Sequence, residues 1–137
     1  MSNFQLVLFD LDDTLVYFRH YWEASAKDAF RYFRETRDLN IDELFEAYRK
    51  HDLDLEQLYL RQEITVEQYR IERITRTLRD HGREIAPEFA FTFEDRYKTF
   101  SRIHIKPNEG ITENLAIIMR QLSSRYCNQR DGQLAVQ

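Results

Sequence analysis

Only three glycines and two prolines interrupt this 137-residue chain, and that scarcity constrains its fold more than any other feature. Turns and irregular loops draw on both residue types, so long helices are expected rather than a loop-rich all-β fold. The apolar spacing agrees. Trp22, Ala26, Ala29, Phe30 and Phe33 share one helical face. Asn40 opens a second element, with Glu43 in a capping-box position and Ile41, Leu44, Phe45 and Tyr48 as its stripe. Leu55, Leu58 and Tyr59 suggest a short continuation past a break near His51 and Asp52. Thr65 and Gln68 form another capping box, opening a helix through Ile71, Ile74 and Leu78 that Gly82 ends. Pro87 suits a helix's first turn, and Phe89, Phe93, Tyr97 and Phe100 follow at helical spacing. Beyond Pro107 and Gly110, a last amphipathic helix uses Leu115, Ile118, Met119 and Leu122.

The two ends depart from this pattern. Leu6-Val7-Leu8-Phe9 is a short continuous apolar run, which suits a strand buried on both faces of a parallel sheet. From Ser123 onward no period is visible, and 123–137 reads as an unstructured tail. The middle is expected to be a bundle of four or five helices between a strand and a final helix.

Composition excludes several classes. Hydrophobic residues make up 42% and charged residues 32%, a balance that suits a packed domain rather than a disordered chain. The length fits one domain, or one plus an insertion. Net charge is -4 with the signs interspersed, so no nucleic-acid footprint is expected. Cys127 is the only cysteine, which rules out a disulfide within the chain and points to a reducing compartment. With no apolar run of membrane-spanning length and no leader pattern, the expected location is the cytoplasm.

The chemistry concentrates in Asp10-Leu11-Asp12-Asp13-Thr14-Leu15, directly after the apolar run. Ligands of open α/β sheets gather beyond the carboxyl ends of strands. Two carboxylates placed there, two residues apart, suit a division of labour in which one attacks phosphorus and the other moves protons. Their oxygens also suit a hard cation such as Mg²⁺. The plainer reading is an acidic turn that caps the next helix.

Phe9-Asp10-Leu11-Asp12-Asp13-Thr14-Leu15 resembles the first signature motif of the haloacid dehalogenase-like hydrolases. The resemblance implies an α/β fold, with a partial Rossmann-like core at 1–19 and 105–122 and an inserted helical cap at 20–104, mostly α in the residues present. It implies that Asp10 is the nucleophile and a Mg²⁺ ligand. Asp12 would be general acid and base and add its main-chain carbonyl to the metal, while Thr14 shapes the loop. An aspartate at position 12 favours phosphatases over dehalogenases, because an alkoxide leaving group needs a proton and a halide does not. Pro107-Asn108-Glu109-Gly110-Ile111 looks like the return to the core. Tyr17, Phe18 and Glu63 to Arg70 are similar to cap segments of nucleotidase-like members. The implied ligand is a small phosphorylated molecule; no membrane, nucleic-acid or protein partner is implied.

Other residues are weighed against simpler roles. Arg70, Arg73, Arg76 and Arg79 recur every three residues, as a solvated face or as a source of one phosphate-binding guanidinium. Tyr17, Phe18, His20 and Trp22 either pack in the core or line an entrance. His20, His51, His81 and His104 lack metal-ligand spacing, so no zinc site is expected.

The family's later motifs, a Ser or Thr, a Lys and an acidic pair, are not found after the return helix; Lys106 precedes that helix and Asp131 is isolated. Negligible phosphatase activity is therefore expected of these residues alone. Tyr126 to Asp131 permits the codons TAT TGT AAC CAA CGG GAT, followed by the G of Gly132. Read one base later, these give Ile-Val-Thr-Asn-Gly-Met, which resembles the family's second motif, so the tail is open to an out-of-frame origin. Against the phosphatase stands a non-catalytic helical interaction module that carries a vestigial motif.

Overall fold

The computed structural model describes residues 8–133, with side-chain exposure for 8–123. Five helices follow one another among them: α1 (Phe18–Tyr32), α2 (Ile41–Leu60), α3 (Val66–Asp80), α4 (Pro87–His104) and α5 (Ile111–Gln133). The chain divides into two compact units, one of Arg19–Ile105 and one of Met1–Phe18 with Lys106–Gln137.

Local chemistry sets the ends of the helices in the Arg19–Ile105 unit. The Asn40 side chain accepts the main-chain N–H groups of Asp42 and Glu43 and so starts α2. Its amide meets the Glu43 carboxylate at 3.0 Å, so the expected box is made side chain to side chain. At α3 the box is complete: the Gln68 N–H donates to Thr65 Oγ1 at 3.1 Å, and the Thr65 N–H donates to Gln68 Oε1 at 2.8 Å. Gly82, at φ 71, takes the left-handed conformation just past the end of α3. Pro87 opens α4, where its missing N–H costs no helical bond.

The core of this unit is aromatic. Phe30 of α1 meets Tyr48 of α2 edge-on at 5.6 Å and Phe93 of α4 at 5.1 Å. Trp22 and Phe45 join α1 to α2 at the other end, and Phe33, just past the end of α1, meets Phe89 of α4. Leu44, Leu55, Ile74, Leu78 and Ala90 complete it with no exposed surface. Ring pairs of this kind add roughly 0.5–1.5 kcal/mol each beyond the burial of their area.

Polar groups also lie inside. Arg73 is 7% exposed and donates to Asp52 at 2.6 Å and to Glu94 at 3.0 Å. Its guanidinium lies over the Tyr48 ring, 4.5 Å from the centroid, and near Tyr69. The Tyr69 hydroxyl donates to the same Asp52 oxygen. Burial works to lower the Arg73 pKa, but Tyr48, Glu94 and Asp52 outweigh it and the net direction is up.

Three expectations are corrected here. No break interrupts α2 near His51 and Asp52, because both polar side chains reach α3: His51 pairs with Asp80 at 2.7 Å and Asp52 with Arg73. The arginines of α3 are not one solvated face, since Arg73 is buried while Arg76 pairs with Glu72 and Arg79 with Glu84. The expected unstructured tail is helical through Gln133. Continuing a helix needs no apolar stripe, and no proline lies between Ser123 and Gln133 to remove a main-chain donor.

The expected strand is only partly within view. Leu6 and Val7 lie outside the described residues, as do Leu134, Ala135 and Val136. Leu8 and Phe9 have no regular structure and are 81% and 45% exposed. Among the described residues the only β pairing is two isolated bridges, Asp12 with Val16 and Val16 with Pro107. The described chain is thus mostly helical. None of its helices is long and apolar enough to cross a membrane.

Candidate functional site

The acidic motif occupies a non-helical segment that ends at α1. Asp13 has φ 58, a left-handed conformation in which aspartate is one of the better tolerated residues. That reversal closes a tight loop: the Asp13 N–H donates to the Val16 carbonyl at 2.7 Å, and the Leu15 N–H donates to that of Leu11 at 2.9 Å. Val16 anchors the loop at 5% exposure.

A second stretch holds the loop from outside. The Asn108 N–H donates to the Leu15 carbonyl at 2.8 Å, and the Asn108 side-chain amide donates to the Thr14 carbonyl at 3.2 Å. Gly110, at φ 76, lets the chain turn from Asn108 into α5. The loop is therefore tied to Pro107-Asn108, far away in sequence.

The three aspartates are not equivalent in this frame. Asp13 Oδ1 accepts the Phe18 N–H at 3.2 Å and caps the start of α1, the role the plainer reading gave to the motif as a whole. Asp10 and Asp12 precede the turn, and both are exposed. Asp12 also takes part in the bridge to Val16. Thr14 is exposed, with its main-chain carbonyl committed to Asn108.

Carboxylate oxygens such as those of Asp10 and Asp12 are of the donor type that suits a hard cation. Among the described residues no group of three His, Cys, Asp or Glu side chains gathers to hold a metal.

Of the residues weighed beside the motif, Trp22 is buried against Phe45, whereas Tyr17 is 55% exposed and His20 is exposed. His51 and His104 are engaged in helix-to-helix pairs with Asp80 and Asp28, both at 2.7 Å, and His81 with the Thr77 carbonyl. Two contributors were missed in the sequence. Asp13 reaches the first N–H of α1 from five residues upstream, through its positive-φ turn, which sequence spacing does not show. Asn108 stood in the expected return segment, but its bonds to the remote Thr14 and Leu15 carbonyls gave no signal. Comparison with protein-family models, with curated proteins and with solved structures found no match to this chain.

Proposed function

We propose that this chain carries the nucleophile of a Mg²⁺-dependent phosphatase of the haloacid dehalogenase-like superfamily, one acting on small phosphate esters such as nucleotides. In this reading Met1–Phe18 and Lys106–Gln137 belong to a Rossmann-like core, and Arg19–Ile105 is its helical cap. The observation that carries the reading is the loop from Leu11 to Val16. It holds Asp10 and Asp12 on exposed, non-helical chain while Asp13 takes up the capping duty.

The chemistry follows from the two carboxylates. Asp10 attacks phosphorus, the ester P–O bond breaks, and Asp12 delivers a proton to the departing alkoxide. Asp12 then takes a proton from water as that water displaces phosphate from the Asp10 acyl phosphate. Asp10 and the main-chain carbonyl of Asp12 would hold Mg²⁺, which would supply neutralisation of the phosphoryl charge. The family's Ser or Thr, Lys and acidic pair have no counterpart in the sequence after Lys106, so these residues alone are expected to turn over no substrate.

The nucleotide sequence from Tyr126 to Gly132 tests this reading. It predicts that the frame one base later encodes Ile-Val-Thr-Asn-Gly-Met, with a lysine and paired acids further on. A shifted frame without Thr-Asn-Gly, or one that closes at once, removes that support. A second reading, a non-catalytic helical interaction module, draws on the self-contained aromatic core of Arg19–Ile105. Helical content and a melting transition that survive when residues 19–105 are expressed alone favour it only if phosphate release is also absent from the longer polypeptide.

A further inference from the structure

Gln62, at φ 60, follows the end of α2 in a left-handed conformation, and the chain doubles back through Thr65 into α3. A cavity of about 380 Å³ opens at this turn, with Tyr59, Leu60 and Ile64 among its walls beside Gln62, Glu63 and Gln68. Its apolar walls face solvent. Leu60 is 66% exposed and Tyr59 44%, although Tyr59 also leans on Tyr69 with centroids 5.9 Å apart. Leu53 lies two turns back on the same side of α2 as Leu60, Val66 begins α3, and both are exposed. Apolar side chains scattered singly on a surface need no explanation, but a cluster rimmed by polar residues marks an interaction site.

The rim is acidic. Glu63 is neutralised by Arg61 at 2.6 Å. Glu56 sits between Leu53 and Leu60 on α2, Asp54 is next to Leu53, and Glu67 is next to Val66. All three are exposed and form no ion pair among the described residues. Against them stands Arg70, the one unpaired cation of residues 53–70. The carbonyl end of α2 and the amide end of α3 meet at the turn and offset each other. Side chains therefore set the balance, and it favours a cationic partner.

We propose that this face of the helical unit docks a basic segment of a partner protein. One apolar side chain of that segment enters the cavity beside Tyr59 and Leu60, while its lysines or arginines meet Glu56 and Glu67. The cavity falls at the small end of the roughly 300–1,000 Å³ range of ligand sites, which suits an anchoring side chain. Amphipathic segments bind with apolar anchors in a groove and complementary charges at its edge. A second copy of this chain fits less well, since it would set the same three acids against themselves. The face lies wholly within Arg19–Ile105, so the inference depends on neither functional reading above.

The full chain is titrated into a dye-labelled peptide of leucine and lysine at helical spacing, and the anisotropy of the dye is followed. Saturable binding is expected. It should weaken by about tenfold or more when serine replaces the peptide's leucines, or in Leu60→Ser, because an apolar anchor is lost. Glu56→Lys with Glu67→Lys should weaken it by about tenfold at low salt and should prefer a peptide of leucine and glutamate. Glu109→Lys with Glu113→Lys changes the net charge equally outside this unit and should bind like the native chain. Every substituted residue is exposed, so circular dichroism should match the native signal. The proposal is overturned if the leucine–lysine peptide gives no saturable binding, if the serine peptide or Leu60→Ser binds equally well, or if the two charge-reversed variants behave alike. Gel filtration in which the native chain self-associates and Leu60→Ser does not would assign the face to a second copy and overturn it as well.

Discussion

The carboxylate of Asp13 accepts the main-chain N–H of Phe18 at 3.2 Å, and this one bond separates the third aspartate of the motif from the other two. Asp13 also supplies the left-handed turn, at φ 58, that closes the loop onto Val16. Its duties are local and structural. In the proposed reading the chemistry falls to Asp10 and Asp12.

Asp13→Ala should expose the division. Loss of the cap costs about 1 kcal/mol, and an alanine held at positive φ costs about 1–2 kcal/mol more. Amide exchange at Phe18 should accelerate by about tenfold or more, while Asp13→Asn, which keeps both the acceptor and the turn tolerance, should stay close to native. Equal exchange in Asp13→Ala and the native chain would contradict the assignment.

Arg73 makes the second prediction. Its guanidinium serves Asp52 and Glu94 together, so removing it leaves two enclosed carboxylates without a cation. Arg73→Met should destabilise the helical unit by roughly 3–5 kcal/mol. Exchanging Arg73, Asp52 and Glu94 together for apolar residues of similar size should recover most of that loss, because no charge is then stranded. Urea unfolding followed by circular dichroism distinguishes the outcomes. A single variant that unfolds at the native midpoint would show that the network carries little stability.

Alkaline pH should unfold the same region. Burial pushes the pKa of Tyr48 well above its ordinary value, and burial with the bond to Asp52 raises that of Tyr69. The folded chain therefore keeps protons that the unfolded chain releases above about pH 10. The stability from neutral Tyr48 is fully present below that pH and declines as pH rises, by up to about 1.4 kcal/mol per unit. Tyrosinate absorbance should accordingly rise together with loss of helix. Ionisation of all tyrosines with the helical signal intact would contradict the enclosure of Tyr48.

Much of the helical unit was legible because its boundaries are written in local chemistry. Thr65 with Gln68, Gly82 and Pro87 each act through neighbours a few residues away, and the Phe30, Phe93 and Leu44 faces follow helical spacing. What was illegible depends on remote partners. Asp52 and His51 looked like a break because Arg73 and Asp80, which engage them, lie on another helix. Arg73 looked solvated because a regular run of arginines does not reveal which member turns inward. Asn108 could not be assigned without knowing that Thr14 and Leu15 present carbonyls to it. In the site, the acidic pair stood out by residue type, whereas the capping role of Asp13 emerged only with the backbone.

The most direct measurement of the central claim is phosphate release by the polypeptide that joins residues 1–125 to the reading frame one base later. With Mg²⁺ and small phosphate esters, the account predicts steady turnover that falls by about a thousandfold or more in Asp10→Asn, as removal of a covalent nucleophile does. Turnover that Asp10→Asn leaves unchanged, or a joined polypeptide that folds and releases no phosphate, would contradict it.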